Sequence, residues 1–181
     1  GDAGTRSLNF ALQAALNPPK PGKQERRFGE LVFREGDRVM QTRNDYDVVW
    51  QKEDGTAGTG IFNGDVGKIA KIDPSGELLE IVFDDRTATY TSDMLAELDM
   101  AYAMTVHKAQ GSEYRGVVFV GASCAPSLMV RGVLYTAITR ARELLVIVGD
   151  DSAVNKMAEN DRRSRRYSGL KWRLRKGGEE K

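Results

Sequence analysis

A chain of 181 residues, 40% of them hydrophobic, can bury one ordinary core with a small inserted module and has no room for two large domains. Its 27 basic and 26 acidic residues nearly cancel, so the overall charge neither demands nor excludes a polyanionic partner. Cys124, the only cysteine, excludes an internal disulfide and a thiolate metal cage and reads as a buried small hydrophobe.

No apolar stretch approaches the roughly twenty residues that span a bilayer, and no charged-then-apolar leader opens the chain, so we expect a soluble, cytoplasmic protein without a membrane partner. The opening GDAGTRS has the form of a fragment cut from a longer protein.

Leu8, Leu12, Ala15 and Leu16 recur at three- and four-residue spacing, which predicts a short helix over residues 7–16, capped by Ser7 and stopped by Asn17-Pro18-Pro19. Residues 18–27 form a polar, Pro- and Lys-rich loop. Strands follow at 31–33 and 38–41, separated by the turn REGD, and the Gly-, Asp- and Thr-rich residues 44–60 form a hairpin or a mobile loop. From residue 61 to 98, short strands alternate with the turns PSGE and DDR, a pattern that describes a small β-barrel.

After Asp99 the texture changes. A strand is expected at 101–104, a helical turn at 106–110, a buried strand at 117–121, a longer helix at 127–142, a second buried strand at 144–148 and a last short helix at 152–158. Strand and helix alternating at this spacing favour a parallel sheet into which the β-module is inserted. From residue 151 onward there are ten Lys/Arg against five Asp/Glu, including RRSRR at 162–166. This segment reads either as a solvated, mobile C-terminus or as a phosphate-contacting tail.

Two basic segments sit beside the buried strands: TVHKAQGSE at 105–113 and YTAITRAR at 135–142. Such positions in α/β domains are where nucleotide phosphates and nucleic-acid backbones are handled. A phosphate-cradling loop of the form GxxxxGK[ST] is missing, because around Gly67-Lys68 the first glycine is replaced by Phe62 and the hydroxyl by Ile69. IVFDD at 81–85 imitates a Walker B strand but is flanked by tight turns, so we do not read it as a Mg²⁺ site. Asn63, Gly64 and Asp65 read as turn chemistry. Tyr46, Trp50 and Tyr90 read as packing residues rather than base-stacking platforms.

The two segments resemble motifs V and VI of superfamily 1 helicases, and HKAQGSE with TAITRAR is most similar to the RecD/TraA branch. REGDRVMQTRNDYD followed by FNGDVGKI resembles the lead-in to that branch's inserted module. The resemblance implies an α/β fold, a RecA-like parallel sheet flanked by helices and interrupted by a small SH3-like β-barrel. Residues 1–45 and 99–160 would form the second motor domain, 2A, residues 46–98 the SH3-like insertion, 2B, and residues 161–181 a basic C-terminal tail.

By the same resemblance, Arg140 is the arginine finger that stabilises the transferred phosphoryl group, with Arg142 supporting the motif structurally. Gln110, Gly111 and Glu113 join Arg140 in nucleotide binding, and Thr105, His107 and Lys108 face single-stranded DNA. For each of these the residues alone leave a purely structural role open. No residue is expected to hold a metal. ATP and Mg²⁺ would be cofactors of the full-length protein, none being bound by this chain alone, which is expected to be inactive as an ATPase. The implied partners are single-stranded DNA, an N-terminal RecA-like motor domain and exonuclease-complex subunits, and the implied activity is 5′ to 3′ translocation. Pif1-like helicases and conjugative relaxases share the motif style. A non-catalytic SH3-like module that recruits nucleic acid or protein is the competing reading.

Overall fold

The structure, a computed structural model, describes residues 3–122 and 124–162, so the basic tail beyond Arg162 lies outside the described residues. The chain divides into two compact units, Gly1–Ser112 and Glu113–Lys181.

The first unit opens with helix α1, Thr5–Leu16, whose cap position is Gly4 rather than the expected Ser7. Its buried face is not apolar. Asn9, Gln13 and Asn17, spaced four residues apart on one side, are buried, whereas Leu16 is 68% exposed. Strand β1, Glu25–Phe28, forms an antiparallel hairpin with β2, Leu31–Arg34, so part of the expected polar loop is a strand.

The main body is a seven-stranded antiparallel sheet made from β3, Arg38–Gln41; β4, Asp45–Gln51; β5, Ala57–Ile61; β6, Val66–Ile72; β7, Leu78–Phe83; β8, Arg86–Thr91; and β9, Leu98–Met100. Its order is β5-β4-β8-β7-β6-β3-β9. The order starts at β5 and ends at β9 without joining them, so this is an open sheet and not the closed barrel expected from the turn spacing.

Alternation explains the strands. Leu79, Ile81 and Phe83 on β7 and Ala88 and Tyr90 on β8 point inward while their neighbours face out. A register shift between Ile69 and Lys71 on β6 moves the inward position on to Ile72. These residues form one core with Phe33, Val39, Val48, Ile61, Leu95, Leu98 and Met100. Gly67 is required inside it, because a Cβ there would lie 2.8 Å from both Ile81 and Phe83 side-chain atoms. Buried Tyr90 donates to Gln41 Oε1 at 3.0 Å, and burial pushes its phenol well above the usual range. Asp84 and Asp85, the acids of IVFDD, are the two turn residues between β7 and β8, with Asp84 at φ 54° and Asp85 paired to Lys52 at 2.7 Å.

The second unit holds β10, Tyr114–Gly121; α2, Arg131–Ile138; β11, Ala141–Gly149; and α3, Asp151–Glu159. β10 and β11 form a parallel pair in which Val117, Val118, Phe119 and Val120 face Leu145, Val146, Ile147 and Val148. Within the described residues this is the only parallel pairing, where a larger parallel sheet was expected. Its apolar side chains are open: Val118 is 66% exposed, Leu144 60% and Val148 52%. The expected helix over 127–142 is shorter, because Arg140 O accepts from Tyr114 N and draws the chain into β11. Asp150 caps α3 by accepting from Ser152, which holds its carboxyl below the usual carboxylate range. Among the described residues, no helix is long and apolar enough to cross a membrane.

Candidate functional site

In the first unit, residues 101–104 are not the expected strand. Ala101 N donates to Arg38 O at 2.9 Å, and both backbone groups of Ala103 are taken by one side chain: Asn9 Nδ2 donates to Ala103 O and Asn9 Oδ1 accepts from Ala103 N, each at 2.8 Å. Both backbone groups of Ala103 therefore have partners without a ladder.

A tight turn follows. Ala109 N donates to Thr105 O at 3.1 Å, Gln110 N to His107 O at 3.2 Å and Ser112 N to Ala109 O at 3.2 Å. The Thr105 hydroxyl accepts from Lys108 N at 3.3 Å, which braces the start. Gly111 closes the turn at φ 91°, a backbone region costly to residues with a Cβ. Ala109 is buried beneath the turn, and Thr105, His107, Lys108, Gln110 and Gly111 are all exposed. Lys108 Nζ lies 3.0 Å from Asp99, an exposed ion pair weak enough to yield to a competing anion.

A buried polar cluster anchors this segment, and the apolar spacing of α1 did not disclose it. Asp37, fully buried in the turn between β2 and β3, accepts from Arg34 N at 2.8 Å, Gln13 Nε2 at 2.6 Å, Asn17 Nδ2 at 2.7 Å and the Tyr102 hydroxyl at 2.8 Å. Arg34 lies alongside with its guanidinium on Glu25 and on the Asn17 carbonyl. Burial, then the Asp37 hydrogen bond, pushes the Tyr102 phenol up to about 12. The signal that would have revealed the cluster is the amide repeat Asn9, Gln13, Asn17, a helical period written in polar residues.

In the second unit, Arg140 follows the end of α2. Its Nε donates to Thr136 O at 3.1 Å and its Nη2 to Thr139 Oγ1 at 3.2 Å, so the half-buried guanidinium meets the negative end of its own helix. Glu143 is engaged by Arg115 through two bonds of 3.0 and 3.1 Å. Arg142 Nε donates to Glu113 at 2.6 Å and bridges the two sequence segments. Cys124, expected to be buried, is exposed. No cluster of His, Cys, Asp and Glu able to hold a metal occurs among the described residues.

Set beside known proteins, residues 8–83 match the family described as "ATP-dependent RecD-like DNA helicase SH3 domain", and residues 100–148 match "UvrD-like helicase C-terminal domain". The chain is 36% identical over 165 residues to the ATP-dependent RecD2 DNA helicase of Deinococcus radiodurans, covering 91% of this chain and 21% of that protein. It is 32% identical over 143 residues to the RecBCD enzyme subunit RecD of Mycolicibacterium smegmatis, covering 79% of this chain and 23% of that subunit. In fold it is similar to Bacteroides Pif1 crystallised bound to ssDNA, at 17% identity and a TM-score of 0.54 over 99% of this chain and 44% of that one.

Proposed function

This chain belongs to the RecD-type superfamily 1 helicases, and from that premise we propose that it is the C-terminal motor portion of an ATP-dependent DNA helicase that moves 5′ to 3′ on single-stranded DNA. The observation that carries the reading is the match of residues 100–148 to a helicase C-terminal domain, because every proposed site residue falls inside it. Residues 1–45 and 99–160 are the RecA-like domain 2A, residues 46–98 the SH3-like 2B insertion, and residues 161–181 a basic tail. The open apolar flanks of β10 and β11 support a larger RecA-like sheet, since parallel strands are normally covered on both faces. Its setting is cytoplasmic, alone or within an exonuclease complex.

In this reading Arg140 completes the ATP site from the far side of an interdomain cleft, where the developing charge on the γ-phosphoryl group must be met by a preorganised cation. Gln110, Gly111 and Glu113 contact the nucleotide, with Arg142 holding Glu113. ATP and Mg²⁺ are held chiefly by a phosphate loop and acids that these 181 residues do not include. The chain alone is therefore expected to show no DNA-stimulated ATP turnover, and Mg²⁺-dependent turnover of the purified chain in a steady-state assay would overturn the reading.

Thr105, His107 and Lys108 form half of the DNA track. A hydroxyl and an imidazole donate to phosphate oxygens without reading sequence. In the full-length protein, Thr105→Ala with His107→Ala is expected to weaken single-stranded DNA binding by roughly tenfold to a hundredfold, the worth of two lost hydrogen bonds. The loss should be similar for oligonucleotides of unrelated composition, and the salt dependence should hardly change because neutral donors release few counterions. Fluorescence anisotropy at several salt concentrations measures both, and an unchanged affinity would return His107 to a structural role.

A further inference from the structure

The amide face of α1 and the segment before Thr105 fall in two different matched regions, residues 8–83 and residues 100–148, yet within the first compact unit they are joined side chain to backbone. Asn9 holds both the N–H and the C=O of Ala103, and Asp37 holds the Tyr102 hydroxyl while Gln13 and Asn17 fix Asp37. Two consecutive residues are thus clamped, Ala103 by Asn9 and Tyr102 by the Asp37 cluster, ending two positions ahead of Thr105. Beyond Ala103 the turn is braced by its own hydrogen bonds, of 3.1 to 3.3 Å, by buried Ala109 and by the exposed Lys108–Asp99 ion pair. With its outer side chains exposed, the turn takes its place in part from the clamp at its start.

We propose that Asn9 and Tyr102 are positioning residues for the DNA-contacting turn at 105–111: α1, through its amide face and the Asp37 hub, sets where Thr105 and His107 stand. The proposal rests on the DNA reading of that turn. Neither residue touches DNA or nucleotide. Asn9 acts by gripping main chain, so the geometry it imposes does not depend on the side chain at position 103. Tyr102 acts through its hydroxyl, aimed at an acceptor that is itself fully buried. Preorganisation of this kind shifts the ligand concentration needed for engagement and leaves the chemistry at saturation alone.

The test uses the full-length protein with Asn9→Ala and, separately, Tyr102→Phe, which deletes one hydroxyl and stands in should the first variant fail to fold. Amide hydrogen exchange at Ala109, Gln110 and Ser112 is expected to quicken by roughly tenfold in Asn9→Ala and by a smaller factor in Tyr102→Phe, with β7 and β8 unchanged. The single-stranded DNA concentration giving half-maximal ATP turnover should rise about tenfold and about threefold respectively, with turnover at saturating DNA within about twofold of the parent. Unchanged exchange in the turn of both variants overturns the proposal. So does faster exchange with an unmoved half-saturation point when Thr105→Ala with His107→Ala moves it. Faster exchange with neither set of variants moving the half-saturation point upholds the clamp and instead overturns the DNA reading of the turn.

Discussion

Arg140→Ala in the full-length protein is expected to lower kcat for ATP hydrolysis by roughly a thousandfold or more while single-stranded DNA binding stays near its parent value. The side chain is already half-buried and oriented by Thr136 O and Thr139 Oγ1, so the cation arrives preorganised rather than being recruited from solvent. In the proposed role its loss would remove an interaction made with the charge that develops in the transition state, which would lower kcat rather than raise KM. Arg140→Lys should not restore turnover, because an ammonium cannot keep the two helix-end contacts and also present a planar fork to phosphate oxygens. Single-turnover hydrolysis together with DNA anisotropy decides the matter. Near-parental turnover in either variant would mean that the cation comes from another residue.

Asp37→Ala should cost about 3–5 kcal/mol of stability, a large part of the 5–15 kcal/mol typical of a folded domain. Four donors converge on this carboxyl, and its removal leaves Arg34 N, Gln13, Asn17 and Tyr102 to find new acceptors in a site closed to water. Asp37→Asn keeps the shape but puts two N–H groups among donors, so it should lie between parent and Ala. Urea denaturation measures this as a shift in midpoint at constant slope. A loss within about 0.5 kcal/mol, the range of an ordinary surface substitution, would show that the cluster is incidental.

These cases show what could be read from the chain before its structure was known. Short strands were legible, because apolar runs such as LLEIVF at 78–83 are punctuated by tight turns such as Asp84-Asp85, but the inward face of β7 was not, since Leu78 and Val82 beside it are apolar too. Helix α1 was legible as a helix but not in its orientation. Leu8, Leu12 and Leu16 have helical spacing, and so do Asn9, Gln13 and Asn17; what selects the amide side is Asp37, a residue that makes an apolar partner face costly. Residues 101–104 are apolar enough to suggest a strand, but their hydrogen bonds go to Arg38 O and to the side chain of Asn9, ninety-four positions away. The helix after residue 127 was overdrawn because the Arg140 carbonyl is captured by Tyr114, a pairing with no local signal. The candidate site was legible only as two contiguous motifs, and their local structure was not: TVHKAQGSE is a turn whose last residue, Glu113, begins the second unit, and TAITRAR runs from the end of α2 into β11. The Arg142–Glu113 bridge between the motifs was not legible either, because nothing in either one names its partner.

The Asn9 clamp also bears on how this joint would leave its mark in evolution. Selection acting through it would constrain position 9, where only an amide of this reach offers a donor and an acceptor together, and would leave position 103 free to drift, since every residue but proline supplies the same N–H and C=O. Methods that find spatial neighbours by correlated substitution need both members of a pair to vary in step. A contact between a fixed side chain and an interchangeable backbone gives them nothing to correlate, so one of the more constraining contacts in the first unit would be silent in such an alignment.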